Sequence, residues 1–269
     1  MTKASWLALG FGFLAAFFWG THSVIVRYLT SDLAGISIAV FRLYIAAAVL
    51  YVILKLHGRG ASFSLRDKAL LWTTFGVVTN YILFHVGLEH TTASAAMMLE
   101  NTAPFFVLLF LVLLFRERIR MVEVLATGIA VFGVFFTVRG DVVLAGEALE
   151  GDILELLAGL TWAIFLLGSA KAVGQTSSTI ERIAFLFNVL FLSAVALTPL
   201  AFFFPLRGTV EIHGIFLLVL LGVFPTALAS YLWYEAAARL SATSASLLFT
   251  LSVVFTFVNA HLFLGEAIT

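Results

Sequence analysis

Long stretches without a charged side chain are the feature that most limits how this chain can fold. They include 69–88, 183–206 and 240–265, and a helix of about 20 mostly apolar residues is enough to cross the hydrocarbon core of a bilayer. The chain is 62% hydrophobic and 11% charged, whereas soluble domains contain about 25% charged residues. This composition excludes soluble, disordered and nucleic-acid-binding proteins, and it predicts an all-α integral membrane protein.

The charge-free runs and their flanks predict nine transmembrane helices. Helices are favoured because each run is continuously apolar and exceeds the roughly ten residues of a membrane β-strand. A signal peptide over 4–18 is the alternative for the first run, but the apolar stretch continues through Trp19 to Ile25 without a clear cleavage site. The predicted helices lie at 4–29, 34–55, 68–88, 93–115, 120–138, 152–171, 179–204, 212–236 and 242–264.

The basic residues predict the orientation of the chain in the membrane. With the N-terminus inside, the predicted inner segments hold eleven of the fifteen Lys and Arg residues. The outer segments hold Arg27, Arg139 and Arg207, and Arg42 lies within the second predicted helix. Because cytoplasmic loops carry the excess of Lys and Arg in membrane proteins, we expect the N-terminus in the cytoplasm.

Two parts of the sequence resemble each other at a fixed offset. Residues 91–119 align with 240–268 at an offset of 149, and the identities include Glu117/Glu266 at the ends of matching helices. Trp19 and Trp162 match at an offset of 143 near the start of each half. Because the predicted unit has five helices, an odd number, its second copy enters the membrane upside down. Inverted repeats of this kind are typical of secondary transporters.

The sequence resembles the drug/metabolite transporter superfamily, and within it the EamA-type ten-helix exporters. The resemblance rests on Trp19-Gly20, Phe41-Arg42, Pro104 followed by "LLFRERI", and "LFLGEAI" near the end. It implies ten helices, both termini in the cytoplasm and a substrate cavity between the halves. We expect the first repeat at 1–140 and the second at 150–269 with helices 6–9 only, the tenth helix being missing from this chain. The position that matches Pro104 is Val253, so the second copy lacks the proline of its kink.

Polar side chains form a layer at one predicted depth, roughly 10 Å inside the outer boundary at 1.5 Å per residue. A charge at such depth is costly in a membrane and is a functional hypothesis by default. Arg42 and Glu100 are hypothesised to pair, either at a substrate site or as a structural ion pair. Pro104 should bend its helix at Glu100 and free the Glu100 carbonyl toward a cavity. The layer comprises His22, Arg42, Asn80, Tyr81, Glu100 and Asn101.

The second half should contribute an aromatic and neutral face, because Phe165, Phe249 and Thr250 match His22, Glu100 and Asn101. Trp233 and Tyr234 are close enough to the inner boundary to belong to an interface belt. His85 is interpreted as a hydrogen-bonded packing residue, and aromatic packing between helices is the alternative reading for the aromatic side chains. The predicted substrate-binding residues are Trp19, His22, Arg42, Asn80, Tyr81, Glu100, Asn101, Trp162, Tyr231 and Thr250, and the predicted hinges are Gly76, Pro104 and Pro225.

The function predicted from these features is a secondary transporter that exports small metabolites, most favourably amino acids or related zwitterions, across the bacterial cytoplasmic (inner) membrane by alternating access. The sequence is compatible with transport coupled to protons through Glu100 or His22 and also with facilitated diffusion. The alternatives are a nucleotide-sugar or drug carrier, an intramembrane enzyme using Glu100 and His22 as acid and base, and an accessory protein with a sealed apolar interior. We expect no enzymatic activity, no cofactor, no metal, no nucleic-acid partner, and a monomer or weak homodimer in the lipid bilayer.

Overall fold

The computed structural model describes residues 3–62, 64–138, 147–203 and 211–267, and within these ranges the chain forms helices without any strand. The helices are α1 Lys3–Leu29, α2 Gly35–Leu56, α3 Lys68–His90, α4 Ala93–Glu100, α5 Ala103–Leu113, α6 Met121–Val138, α7 Glu147–Val173, α8 Thr179–Ala201, α9 Ile212–Leu221, a π-helical segment Gly222–Leu228, α10 Ala229–Ala237, α11 Ala242–Phe249 and α12 Leu251–Leu264. The predicted all-α class is confirmed.

Eight stretches of the described chain are long and apolar enough to span a membrane. Three of them are interrupted, since one joins α4 to α5, one joins α9 to α10 through the π-helical segment, and one joins α11 to α12. The 18-residue helix α6 lies between the fourth and fifth stretches. A helix is therefore found at each predicted span, although α7 begins at Glu147 rather than at 152. Arg139 and Arg207, which were counted for the orientation, lie outside the described residues.

The bundle has two ends, which we name after one residue at each. At the first end, the turns around α1, α2, α3, α4 and α7 are tied by hydrogen bonds from the Gly35 N–H to Glu89 Oε1 (2.6 Å) and from Thr91 Oγ1 to Asp152 Oδ1 (2.8 Å). We call this end the Thr91 face. The opposite end holds the loop from Leu56 to Lys68 and is called the Lys68 face.

The two halves break their helices at matching positions. Helix α4 and helix α11 both span eight residues, and their first and last residues are each separated by the same offset of 149. Each is capped by a hydroxyl side chain, Thr92 or Ser241. This correspondence is compatible with the internal repeat.

The second break forms without a proline. Around Thr250 the side-chain hydroxyls of Thr250 and Ser252 donate to the carbonyl oxygens of Leu247 (2.7 Å) and Phe249 (2.6 Å). Hydroxyl groups that bond to nearby backbone carbonyls compete with the helical ladder. Local hydroxyl bonding therefore accompanies the interruption where the first half has Pro104.

Helices α3 and α7 touch backbone to backbone, in what we call the α3–α7 seam. A methyl group built on Gly76 would lie 2.7 Å from the Phe165 backbone nitrogen, and one on Gly151 would lie 3.0 Å from the Gly87 carbonyl oxygen. Small residues allow membrane helices this close approach. Gly76 lies inside the uninterrupted helix α3, so the observed role is packing and its hinge function remains a prediction.

The other two predicted hinges lie where the helical ladder is irregular. Pro225 lies in the π-helical segment, and Pro104 lies in the first turn of α5, just after the break that follows Glu100. Proline removes one backbone donor and crowds the preceding turn. Their positions are suited to bending, and their hinge function remains a prediction.

Large aromatic side chains form part of the core, where apolar contacts hold the bundle together. Trp233 and Tyr234 are 1% and 0% exposed, and Trp233 Nε1 donates to Ser169 Oγ (3.0 Å). Their assignment to an interface belt was therefore wrong. The reason is that α10 turns this face toward α7 and the core rather than toward lipid.

A buried ion cluster joins α8 to α10 near the Lys68 face. Arg182 Nε lies 2.7 Å from Glu235 Oε1, and Arg239 Nη1 lies 2.6 Å from Glu235 Oε2. Glu235 is buried, so both of its oxygens need these partners. The cluster fixes the ends of two helices.

Glu266 caps a helix of the other half. Its carboxylate accepts hydrogen bonds from the backbone N–H groups of Ala93 (2.9 Å) and Ser94 (3.1 Å) and from Ser94 Oγ (2.5 Å). A carboxylate at a helix N-terminus satisfies orphan donors and complements the helix dipole. Glu266 thus has an architectural role as a cap of α4. Its repeat mate Glu117 lies 3.8 Å from Lys171 Nζ and is half exposed.

Replacing Glu266 by alanine is expected to lower the free energy of unfolding by about 1 kcal/mol, the usual cost of removing a helix cap. Thermal unfolding of the purified protein in detergent measures this effect. The matched control is Glu117→Ala, which removes an exposed pair worth a few tenths of a kcal/mol, about 0.5 at most. Equal losses in both variants would contradict the cap.

Candidate functional site

Most of the predicted polar layer converges on one small cavity in the middle of the bundle. The side chains around it leave a cavity of about 10 Å³, which is about the space of one water molecule. They come from α1, α2, α3, α4, α7 and α11, so that both halves contribute. The lining residues are Trp19, His22, Arg42, Asn80, Tyr81, Phe84, His85, Glu100, Trp162 and Phe249.

Arg42 contributes the positive charge of the cavity. It is 3% exposed, its Nε donates to Thr226 Oγ1 (2.8 Å), and its guanidinium carbon lies 4.9 Å from the centre of the Tyr81 ring. Cations over aromatic faces are stabilised, most strongly where water is excluded. Nε is the one Arg42 nitrogen with a hydrogen bond inside the described chain. The planar end of the group therefore keeps donors for another partner.

Glu100 contributes the negative charge. It is 3% exposed, and its Oε1 accepts a hydrogen bond from Asn80 Nδ2 (2.8 Å). The same Asn80 nitrogen donates to the Ala158 carbonyl oxygen (3.0 Å), which fixes its direction between α4 and α7. Glu100 Oε2 has no hydrogen-bond partner among the described residues. One carboxylate oxygen is thus left for a further donor.

The hypothesised ion pair between Arg42 and Glu100 is not formed. Neither side chain lies within 4.0 Å of an opposite charge in the described structure, because Thr226 and Tyr81 engage the guanidinium while Asn80 engages the carboxylate. The expectation of a direct pair was therefore wrong. The two charges line one cavity as separate groups.

The helix break at Glu100 differs from its expected geometry. The helix stops at Glu100 and restarts at Ala103, just before Pro104, so the predicted bend is an interruption. A methyl group built on Gly159 would lie 2.9 Å from the Glu100 carbonyl oxygen. The carbonyl therefore packs against α7, and the expectation that it opens into the cavity was wrong. The glycine is what allows α7 to come so close.

Two histidines share the cavity. His22 Nδ1 lies 2.6 Å from the Trp19 carbonyl oxygen, and His85 Nδ1 lies 2.9 Å from the Tyr81 carbonyl oxygen. In this geometry each Nδ1 donates, which leaves each Nε2 as the acceptor. His85 Nε2 has no hydrogen-bond partner among the described residues. Each ring is therefore a hydrogen-bonding element of the site rather than apolar packing.

Aromatic rings form another part of the cavity wall. The ring centre of Trp162 lies 4.3 Å from that of Phe165 in a stacked arrangement and 5.6 Å from that of Trp19 at 80°. Phe249 lies 5.3 Å from Trp19. Offset stacking and edge-to-face contacts are the favoured geometries of such pairs. The second half thus supplies the aromatic, neutral face that its sequence predicted.

Three of the predicted residues point elsewhere. Asn101 Nδ2 donates to the Met97 carbonyl oxygen (2.8 Å) and to Ser252 Oγ (3.3 Å), and Thr250 bonds to its own helix. Tyr231 is partly buried against the core and does not line the cavity. The structure gives these residues packing roles, and their part in substrate binding remains a prediction.

Sequence reasoning missed Phe84, His85 and Thr226. Phe84 and His85 follow Asn80 and Tyr81 by four residues, and side chains four apart share a helix face. That spacing is enough to predict that both side chains face the cavity. No spacing in the sequence points to Thr226 as a partner of Arg42. Thr226 lies in the π-helical segment, where its hydroxyl accepts from Arg42 Nε and donates to the Leu221 carbonyl oxygen (2.7 Å).

The cavity combines separated opposite charges, hydrogen-bonding imidazoles and an aromatic wall. Such a surface can bind a small molecule that carries both a cationic and an anionic group. Within the described residues no group of three or more His, Asp or Glu side chains is placed to hold a metal ion. The side chains that line the cavity are suited to binding such a molecule.

Comparisons with known proteins find relatives that are named as transporters. An uncharacterized transporter of Archaeoglobus fulgidus is 25% identical over 272 residues, which cover 98% of this chain and 91% of that protein. An uncharacterized transporter of Clostridium kluyveri is 23% identical over 69% of this chain and 60% of its own length. A protein of known crystal structure superposes with a TM-score of 0.75 at 18% identity, covering 97% of this chain and 89% of the other, and this likeness shows the fold alone.

A family-level match covers nearly the whole sequence in two segments. Residues 6–139 and 149–269 both match the sequence model of the EamA-like transporter family. The multi-pass helical bundle and the polar cavity at its centre are what a membrane transporter requires. The chain belongs to the EamA-like transporter family.

Proposed function

We propose that this protein is a secondary transporter that exports amino acids or related zwitterions by alternating access. The observation that carries the proposal is the pair of separated charges in one cavity. Arg42 keeps free guanidinium donors and Glu100 keeps a free carboxylate oxygen. Arginine binds carboxylates through paired hydrogen bonds, and a carboxylate oxygen accepts from an ammonium group. A zwitterion supplies both partners at once.

The aromatic wall supports a small organic substrate over a highly charged one. Trp19, Trp162 and Phe249 face the side of the cavity that a side chain or hydrocarbon part would occupy. A nucleotide sugar carries two phosphates and would require more cations than Arg42, the one Lys or Arg residue that lines this cavity. This favours a zwitterion over the nucleotide-sugar alternative.

The burial of the site supports alternating access. Arg42, Asn80 and Glu100 are each almost fully buried, so a substrate reaches them only when helices move apart. Transporters of this general kind bind near the membrane midplane and expose the site to each side in turn. We place the Lys68 face and the N-terminus in the cytoplasm, because the predicted inner segments hold most of the basic residues. The membrane is then the cytoplasmic (inner) membrane.

A counterflow screen in proteoliposomes tests the proposal. Vesicles loaded with unlabelled neutral amino acids, nucleotide sugars or cationic drugs are assayed for uptake of the labelled compound of the same class. We expect exchange for amino acids and none for the other two classes. Exchange of nucleotide sugars or drugs alone would overturn the substrate class, and exchange of none would overturn the transport proposal.

The Glu100→Gln variant examines the ammonium contact in the same assay. Glutamine keeps the shape and the bond to Asn80 but loses the charge that would meet the ammonium group. We expect amino-acid exchange to fall by about tenfold, the equivalent of 1.4 kcal/mol of binding. Glu150→Gln, which changes an exposed acid on α7, is the control. Unchanged exchange and an unchanged pH response in Glu100→Gln would remove Glu100 from substrate binding and from coupling.

A further inference from the structure

A second buried acid lies outside the cavity, on α7. Glu155 is 0% exposed, and neither of its carboxyl oxygens has a hydrogen-bond partner among the described residues. It lies six residues, or about 9 Å of helix, beyond Leu149, where the apolar span begins. Nothing in substrate binding or in helix packing as described above uses this carboxyl group.

An isolated carboxylate in such a place is costly. Burying a charge without a partner costs several kcal/mol, and taking up a proton removes that cost. Ionisable residues inside membrane helices are rare and mark pathways for ions or protons. A glutamine or leucine would fill the same volume without this cost. An unpartnered acid at this position is therefore a reason to look for a function that depends on its proton.

Glu155 lies between the Thr91 face and the substrate cavity. Asp152, one turn earlier on the same face of α7, accepts a hydrogen bond from Thr91 Oγ1 (2.8 Å) at the end of the bundle. Gly159, one turn later on that face, packs against Glu100: a methyl group on Gly159 would lie 2.9 Å from the Glu100 carbonyl oxygen. Asp152, Glu155 and Glu100 thus form a column of acids from the Thr91 face to the cavity.

A glycine provides space beside the Glu155 carboxyl group. A methyl group built on Gly87 of α3 would lie 2.9 Å from Glu155 Oε1. The carboxyl group therefore points into the α3–α7 seam. The lack of a side chain at Gly87 leaves room for the Glu155 carboxyl group between the two helices.

The titratable groups near Glu155 are few. Its own helix provides Asp152, α4 provides Glu100, and α3 provides His90, whose Cβ approaches Gly151. Helices α5 and α11 contain no titratable residue, and Glu235 on α10 is paired with Arg182 and Arg239 near the other end of the bundle. Neither carboxyl oxygen of Glu155 bonds to any of these groups in the described structure, so we expect a proton to neutralise it.

We infer that Glu155 carries protons between the Thr91 face and Glu100, and so couples substrate export to proton entry. This inference rests on the proposed transport function. Each transfer breaks one O–H bond and forms another, first from Asp152 to Glu155 and then from Glu155 to Glu100. A proton that reaches Glu100 removes the negative charge that holds the substrate's ammonium group. Proton arrival and substrate release are thereby linked at one carboxyl group.

Infrared difference spectroscopy tests the inference without any substrate. The whole protein in lipid nanodiscs is titrated from mildly acidic to alkaline pH, and the C=O stretch of protonated carboxyl groups is followed. We expect a band in the wild-type protein that responds to bulk pH and is lost in Glu155→Gln, and we expect Glu150→Gln to keep it. A wild-type spectrum that Glu155→Gln leaves unchanged, or a Glu155 band that never responds to bulk pH, would overturn the inference.

Transport measurements add a second readout. In proteoliposomes with an imposed pH gradient and labelled neutral amino acids, Glu155→Gln is expected to lose gradient-driven accumulation while exchange without a gradient continues. Accumulation that persists in this variant would overturn the coupling role. If no amino acid is transported by the wild-type protein, the proposed function fails, and the infrared titration still decides whether Glu155 exchanges protons.

Discussion

Replacing Arg42 by leucine is expected to reduce amino-acid exchange in proteoliposomes by about 100-fold. Arg42 is the one Lys or Arg residue lining the cavity, and its free donors are the groups that would bind a substrate carboxylate. Losing one partner of a buried, hydrogen-bonded charge pair costs about 2–5 kcal/mol, and about 1.4 kcal/mol corresponds to a factor of ten. The rate of labelled amino-acid counterflow measures the effect.

The stability of the same variant separates binding from folding. Arg42 is bonded to Thr226, whose hydroxyl also donates to the Leu221 carbonyl oxygen and so keeps a partner when the arginine is lost. Arg42 has no ion-pair partner in the described structure, and a buried charge without one carries a free-energy cost that an apolar residue does not. We therefore expect an unchanged unfolding temperature, and partial activity in Arg42→Lys, which keeps the charge. Wild-type exchange in Arg42→Leu would exclude Arg42 from the site.

Replacing Gly76 by leucine is expected to destabilise the protein by at least about 3 kcal/mol, the upper part of the range for overpacked cores. The first carbon of the new side chain would lie 2.7 Å from the Phe165 backbone nitrogen and 3.2 Å from the Ile164 carbonyl carbon. Both contacts are with backbone, which cannot rotate away as a side chain can. Helices α3 and α7 must therefore separate, and chemical unfolding in detergent measures the loss.

The control for this variant is Gly128→Leu. Gly128 also lies inside a helix, α6, but a methyl group built there has no atom within 4 Å. Leucine is the better helix former by about 0.5–1 kcal/mol, so the control should keep or gain stability. A Gly76→Leu protein as stable as Gly128→Leu would contradict the close packing of the α3–α7 seam.

Much of the site was predictable because depth in a membrane can be counted. Charged residues mark the helix ends, and the rise per residue of a helix is fixed. Counting from those ends placed His22, Arg42, Asn80, Tyr81 and Glu100 at one level, and the structure brings all five to one cavity. Their role in transport remains a prediction.

The direction of a side chain around its helix was harder to predict. Asn101 follows Glu100 directly, and successive residues point about 100° apart, so Asn101 faces Ser252 while Glu100 faces the cavity. The hydrophobic pattern gives little help here, because a membrane helix is apolar toward both lipid and protein. The same limit explains the wrong assignment of Trp233 and Tyr234 to the interface.

Glu155 was missed because of one helix boundary. The predicted helix began at 152, which left Glu155 near its end, where an acid needs no explanation. Helix α7 begins at Glu147 instead, and Glu155 lies inside the bundle. Acidic residues before a span look like a loop in the sequence, and only the packing of α7 against α3 shows that the helix continues through them.

The α3–α7 seam limits how the cavity can open. The two helices meet backbone to backbone at Gly76 and Gly151, whereas the Glu155 carboxyl group lies beside Gly87 and the Thr73 hydroxyl lies beside Gly168. Helix α3 comes from the first half of the chain and α7 from the second, so the seam holds the two halves together along these two helices. We therefore expect a passage from the cavity to either face to form away from the α3–α7 seam.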